Sequence, residues 1–276
     1  SKKSLSRIEG ILFSNIFFQK KIKNKKTPRL FKSHMNKEDF IDKVSKIKNE
    51  IVKGEIFQAV LSQRFSAPYN IDPFDFYRAL RSVNPSPYLV FLNLGKYQII
   101  CSSPETMINV KNNKITLRPI AGTRRRGKNE KDDFKMRDEL LSDKKELAEH
   151  LMLVDLGRND VGQISKKNTV KVTQQNIIEY YSHVMHIVSN VTGQLKDNLD
   201  PIDVLFAGLP AGTVSGAPKI RALEIIEEQE SINREFYSGS VCYLDINGDM
   251  DSCINLRTAM IKDKRIYTQS GAGIVY

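Results

Sequence analysis

Apolar positions Phe40, Val44, Ile47 and Ile51 recur at steps of four, three and four, which lays one stripe along a helix over residues 37–53. After Gly54 the pattern shifts towards strand character through Phe65. Residues 73–83 read as a second helix, and Asn84-Pro85-Ser86-Pro87-Tyr88 as a turn, because two prolines fix φ and remove backbone donors. A hairpin is expected from 88–93 and 97–102 across Leu94-Gly95-Lys96. A strand at 114–119 then delivers 120–126 into a loop. Further on, 169–173 and 178–192 read as strands and 201–207 as a short helix. The glycine-rich run from Gly208 to Pro218 opens a helix to about Gln229, with Pro218 as its first residue. Residues 240–245, 252–260 and 265–270 close the chain as a three-strand meander.

The densest stretch is DKKELAEHLMLVDLGRND, 143–160. Asp143 can cap a helix with Glu146 three residues on, as in a capping box. Leu147, Leu151 and Val154 give that helix an apolar stripe, and Gly157 is placed to end it as a C′ glycine. Glu146 and Glu149 lie one turn apart, so their carboxylates can converge on a cation. The same spacing also describes a solvated acidic face.

Composition narrows the classes. The chain has 276 residues, 40% of them hydrophobic, without an apolar run long enough to cross a membrane. Net charge is +11, but the first fifty residues hold 14 Lys/Arg against 5 Asp/Glu, so the basicity is local. The run 20–26 lacks the aromatic or helix-turn-helix company of a nucleic-acid reader and reads as a solvated tail. Cys101, Cys242 and Cys253 are too few for a disulfide framework and are not spaced as zinc ligands, which favours a reducing compartment. The chain begins without Met and stops in a strand-like run, as part of a longer protein would. Residues 1–36 are expected to be a connector or the remnant of an N-terminal region. Residues 37–276 are expected to be one domain.

A row of motifs in a fixed order carries more than any single pattern. It runs GEIFQAVLSQRF (54–65), NPSPY (84–88), SSPE (102–105), PIAGTRRRG (119–127), ELAEHLMLVDLGRND (146–160), VMHIVSNVTGQL (184–195), AGLPAGTVSGAPKIRA (207–222), the strand-rich 245–258 and SGAG (270–273). Together these resemble the chorismate-utilising enzymes, in the form of the anthranilate synthase branch. The resemblance implies an α+β fold of two antiparallel β-sheets packed as a sandwich, with helices outside and the site between. It also implies that the catalytic domain here lacks a final helix carrying two further glutamates.

The activity so implied converts chorismate and ammonia to anthranilate and pyruvate, in tryptophan biosynthesis. Mg2+ is the implied cofactor, and ammonia would be delivered from glutamine by an amidotransferase subunit, component II. Nucleic acid and membrane are not implied as partners. Residue by residue, the resemblance gives the metal to Glu149 and Glu146, the leaving hydroxyl to Glu105, the aromatising step to His186 and the enolpyruvyl arm to Thr213. Gly122, Thr123, Ser215, Gly216, Tyr237, Arg257, Gly271 and Gly273 would bind substrate, and Asn84, Pro85, Ser86, Pro87 and Tyr88 would line a tryptophan feedback site. Gln58 stands where water-adding relatives carry a lysine, and Ala121 where aminodeoxychorismate synthases carry a nucleophilic lysine; both favour anthranilate over those alternatives. The implied compartment is a plastid stroma or a bacterial cytoplasm.

Overall fold

The computed structural model describes residues 2–13, 30–181 and 183–276. It divides at Leu30/Phe31. The first unit contains one helix, α1 (Lys2–Leu12), where no periodic element was expected. Its stripe of Leu5, Ile8 and Ile11 is short and exposed, and is easily lost when the segment is read together with the basic run that follows. That run, 20–26, lies outside the described residues.

The second unit, Phe31–Tyr276, carries the remaining elements in order: β1 (Lys32–Ser33), α2 (Lys37–Val52), β2 (Gln58–Pro68), α3 (Pro73–Val83), β3 (Tyr88–Asn93), β4 (Gln98–Ser103), β5 (Asn109–Lys111), β6 (Lys114–Leu117), β7 (Ile120–Arg125), α4 (Glu130–Ser142), α5 (Lys144–Ile164), β8 (Lys171–Tyr180), β9 (Val184–Gln194), α6 (Pro201–Gly208), β10 (Gly216–Ala217), α7 (Lys219–Gln229), β11 (Ser240–Leu244), β12 (Met250–Ile254), β13 (Thr258–Lys262) and β14 (Arg265–Ile274). They form the expected α+β architecture of two antiparallel sheets. In the first sheet the order is β1-β2-β14-β13-β4-β3, with β10 on β2. In the second it is β11-β12-β5-β6-β9, where β7 continues along the same edge of β9 beyond Pro119 and β8 covers the other edge. Because Lys32 and Ser33 pair with Ser66 and Phe65, the sheet unit begins earlier than residue 37.

Apart from β10, which joins the first sheet between β9 and β11, the chain passes from one sheet to the other between β4 and β5 and returns between β12 and β13. The two crossings run side by side: the Ile254 N–H donates to Glu105 O at 3.1 Å, and the Ser102 N–H to Arg257 O at 3.2 Å. The single strand expected over 252–260 is therefore two strands in different sheets. The break falls at Arg257, whose φ of +50° takes the backbone into the left-handed region. Likewise 178–192 divides into the end of β8 and most of β9, and the loop expected at 120–126 is strand β7 with a bulge between Ala121 and Thr123.

Asp143 caps α5 as expected, accepting from the N–H groups of Lys145 and Glu146. The helix does not stop at Gly157 but continues to Ile164. Its buried face is His150, Leu153, Val154, Gly157, Asp160, Val161 and Ile164, so the stripe is rotated from the one read off the sequence, and Leu151 is exposed. Gly157 serves packing instead of termination: a Cβ there would lie 2.8 Å from Leu117 Cδ2 on β6. Gly193 on β9 is tighter still, its missing Cβ falling 2.0 Å from Ser165 Oγ and 2.8 Å from Val161 Cγ1. Absent side chains on both surfaces let α5 sit low on the second sheet, closing a core of Ile108, Val110, Ile115, Val154, Val161 and Val191. α2 and α7 cover the first sheet through Ile47, Leu61, Ile225 and Ile226.

α7 begins at Lys219 with Pro218 as its N-cap, one position later than expected, because Gly216 and Ala217 are drawn into a bridge with β2. This packing is testable at two glycines of similar sequence context. Gly193→Ala should destabilise the protein by about 1–3 kcal/mol in urea unfolding, since the added methyl meets packed atoms. Gly162→Ala, in α5 with open space around it, should stabilise by up to about 1 kcal/mol.

Candidate active site

The crossings end on a cavity of about 710 Å³ lined by Asn84, Pro85, Ser86, Pro87, Pro104, Glu105, Ile120, Ala121, Thr123, Tyr181, His183, Val184, His186 and Arg257. Turn 84–88, both crossovers and the start of the β7/β9 ladder each contribute to it. The turn is held by Ser102 Oγ, which donates to Asn84 O at 2.6 Å, and by Tyr88, whose hydroxyl meets Thr106 Oγ1 and Asp251 Oδ1 at 2.8 Å each.

Thr123 faces His186 across the ladder, and Gly122 between Ala121 and Thr123 has φ +66°, the conformation the bulge demands. His186 Nδ1 lies 3.0 Å from Gly122 O and 3.0 Å from Thr123 Oγ1. A carbonyl can only accept, so Nδ1 carries the proton and Nε2 is left as the basic nitrogen. The Tyr181 ring packs edge-on against the imidazole at 5.4 Å between centroids. Its hydroxyl donates to Glu179, which also pairs with Arg118, and burial pushes the Tyr181 phenol up to about 12.

Glu105 is the acid in the cavity. Burial pushes its carboxyl up to about 7, while the Thr213 hydroxyl pulls the other way. Thr213 belongs to a 3-10 turn, Gly212–Val214, and shares with Glu105 a narrow cleft of about 30 Å³ beside α5. Its Oγ1 is buried without a well-formed hydrogen bond to the described residues. Arg257 reaches Asn84 Oδ1 at 3.3 Å and is exposed to the cavity.

The other expected residues stand apart from this group. Glu149 lines a separate groove of about 700 Å³ with Phe57, Leu151, Met152, Leu156 and Tyr276. Glu146 pairs with Arg124 at 3.2 Å, and Arg124 also holds Asp143 and Glu139. Burial, and after it the charge of Glu146, raise the Glu149 pKa. The two carboxylates thus repel one another, a strain that a cation between them would relieve. No third acidic, His or Cys ligand joins them among the described residues. Two carboxylates suit Mg2+, which keeps much of its coordination for water and ligand oxygens. On α5 between them and the sheet, His150 is fully buried, bonded through Nε2 to Ser189 Oγ at 2.7 Å, and held neutral by burial with its pKa near 4.

Ser215, Gly216, Tyr237, Gly271 and Gly273 form a second layer along β2 and β14, outside the residues that line the cavity. The Ser215 N–H is already bonded to Gly212 O, and its hydroxyl to Ala211 O, so it offers a ligand no free donor there. Gly271 leaves room for the Tyr237 hydroxyl, 2.4 Å from where a Cβ would stand, and Gly273 leaves room for the buried Gln58 amide. His183, not among the expected residues, lines the same cavity because it precedes β9 and escapes strand alternation. Tyr181 was missed for the same reason.

Residues 10–276 match the chorismate binding enzyme family. The chain belongs to that family. Anthranilate synthase component 1 of Acetivibrio thermocellus is 53% identical over 251 residues, 91% of this chain and 51% of the relative. That of Pseudomonas aeruginosa is 53% identical over 245 residues, 89% of this chain and 50% of the relative. The chain spans about half the length of these relatives. The crystal structure of anthranilate synthase component I from Streptococcus pneumoniae matches with a TM-score of 0.90 at 46% identity, over 100% of this chain and 61% of that one. The menaquinone-specific isochorismate synthase of Escherichia coli, at 22% identity and a TM-score of 0.81 over 90% of this chain and 58% of its own, shares the fold. No helix among the described residues is long and apolar enough to cross a membrane.

Burial of Glu105 has a consequence for stability. With its folded pKa raised, the neutral form is favoured, so its stabilising contribution is complete below the ordinary value of 4.5 and is lost as pH rises through about 7. Glu105→Gln should remove that dependence. Between about pH 4 and about pH 8 the variant should gain about 2 kcal/mol on the wild type in urea unfolding, less than the full shift would give because the carboxyl is not wholly desolvated.

Proposed function

We propose that the protein of which this chain is part is an anthranilate synthase large subunit, a lyase that converts chorismate and ammonia to anthranilate, pyruvate and water. The observation that carries this reading is the meeting of a carboxyl titrating near neutrality with a histidine of defined tautomer in one cavity, with Ala121 beside them. A Glu105 that is part protonated at neutral pH can give its proton to the departing ring hydroxyl as ammonia adds. His186 Nε2 can then take the ring proton as the enolpyruvyl group leaves as pyruvate and the ring becomes aromatic. Arg257 suits a substrate carboxylate, and Thr213 the enolpyruvyl arm. Alanine at 121 offers no nucleophile for the aminodeoxychorismate route, and Gln58 no general base for water addition.

Mg2+, held through Glu149 with Glu146 in support, would supply positive charge to a substrate carboxylate. Glutamine-derived ammonia would come from a component II amidotransferase partner. Turn 84–88 would respond to tryptophan. The relatives named above are bacterial, which favours a bacterial cytoplasm over a plastid.

Chorismate, Mg2+ and an ammonium salt, with no partner subunit, should yield anthranilate, followed by its fluorescence with the full-length protein. Glu105→Gln and His186→Ala should each lower kcat by about 10²–10⁴-fold, with smaller effects on KM. A different chorismate product would move the assignment to a sibling activity, and intact chorismate would refute it.

A further inference from the structure

Arg234 lies beyond the end of α7, away from the cavity, and is nevertheless among the most fully engaged side chains of the fold. Its side chain is 14% exposed and that of its partner Glu230 only 5%. Nε and Nη2 donate to the two Glu230 oxygens at 2.8 and 2.7 Å. Nη2 also reaches Val60 O on β2 at 2.6 Å, and Nη1 reaches Val214 O at 2.6 Å. Glu230 is completed from the other side by Ser62, through its N–H at 2.8 Å and its hydroxyl at 2.7 Å, and Gln269 Nε2 donates to that hydroxyl at 2.8 Å. The Tyr237 ring lies 5.5 Å from the guanidinium carbon.

Such a pair is costly to bury unless every donor and acceptor is used, and here the geometry uses them to join a strand, a helix end and the 3-10 turn. The turn is the informative partner. Val214 directly follows Thr213, the residue that stands against Glu105 in the narrow cleft. Other bonds fix the chain further on: the Val60 N–H to Ser215 O and the Phe57 N–H to Ala217 O, both at 2.8 Å. The turn's own bonds, the Val214 N–H to Ala211 O and the Ser215 N–H to Gly212 O at 3.2 Å each, close it on itself, and Arg234 ties the carbonyl of the residue after Thr213 to β2. Lysine could keep the ion pair, but it lacks the planar fork that serves a carboxylate and two carbonyls at once.

We propose that Arg234 is a positioning residue: by fastening the Val214 carbonyl to β2 it sets where Thr213 stands in the narrow cleft that it shares with Glu105. The proposal rests on the reading of Glu105 as the acid of the cavity. Arg118 and Asp160 face Glu105 from the cleft, and Tyr181, His183, His186 and Arg257 from the main cavity; none of these is bonded to Arg234. A change at Arg234 therefore reaches Glu105 through the turn.

The test reads the Glu105 carboxyl directly, in protein carrying 13C-labelled glutamate, with Glu105→Gln assigning the signal. In the wild type the signal should titrate near about 7. Arg234→Lys should raise that midpoint by about half a unit or more, since Thr213 is the group that lowers it. Thr213→Val should raise it similarly, and the double variant should move it no further than either change alone. Additive shifts, or an unmoved midpoint in Arg234→Lys while Thr213→Val moves it, would overturn the proposal. Thermal melts report whether each variant folds. If Arg234→Lys does not fold, Ser62→Ala, which loosens Glu230 by one hydrogen bond, should give a smaller shift of the same sign, and no shift there is equally fatal. Anthranilate formation is followed in parallel; a wild type that makes none refutes the proposed activity but leaves the titration cycle to decide the role of Arg234.

Discussion

The two crossings between the sheets are the constraint from which the site follows. A strand that leaves its sheet abandons its ladder partners, and its peptide groups must find others or be stranded in a low-dielectric interior. Here each crossing satisfies the other, through Ile254 to Glu105 and Ser102 to Arg257. The solution fixes both backbones within a hydrogen bond of one another and leaves their side chains projecting from the seam. Glu105 and Arg257 are thus placed by main-chain satisfaction, before any consideration of what they bind.

The second sheet supplies the other half, and depends on how low α5 lies. Close approach at Gly157 and Gly193 brings Asp160 against Lys219 at 2.7 Å in a largely buried pair, which ties the helix to the start of α7. Gly212 permits the same closeness under the 3-10 turn, where a Cβ would fall 2.2 Å from Leu156 Cδ2. The turn is therefore pressed between α5 on one side and β2, through Arg234, on the other. Thr213 is held by packing and charge together, although neither feature is visible as a motif.

What could be read from the sequence follows this division. The 3.6-residue stripes of α2 and the capping of α5 by Asp143 are local facts, and both are found. The family resemblance collected Glu105, Thr123, His186 and Arg257, and these do meet in one cavity. Errors arose wherever a long-range contact overrode a local signal. Gly157 looked like a helix stop because C′ glycines are common, yet its role is set by Leu117, forty residues earlier in the chain. The strand over 252–260 looked continuous because both halves are buried, and only the pairing partners show that it changes sheets. Arg234 and Glu230 carry no local signal, since Ser62 and the two carbonyls that await them are distant in the chain.

Charge in the cavity has a direction that the individual residues do not reveal. Arg257 has no carboxylate partner among the described residues, while Glu105, which could have been one, is kept part protonated at neutral pH by burial. A cation left available beside a part-protonated acid is an arrangement that can receive an anion without first expelling an internal one. An anionic ligand entering near Glu105 would raise its pKa further, because like charges disfavour ionisation. The acid would then remain protonated at pH values where the empty cavity has begun to release its proton. Anion binding would in this way favour proton retention, and the coupling would arise from geometry that leaves Arg257 to Asn84 and seats Glu105 beside Thr213 instead of pairing the two with one another.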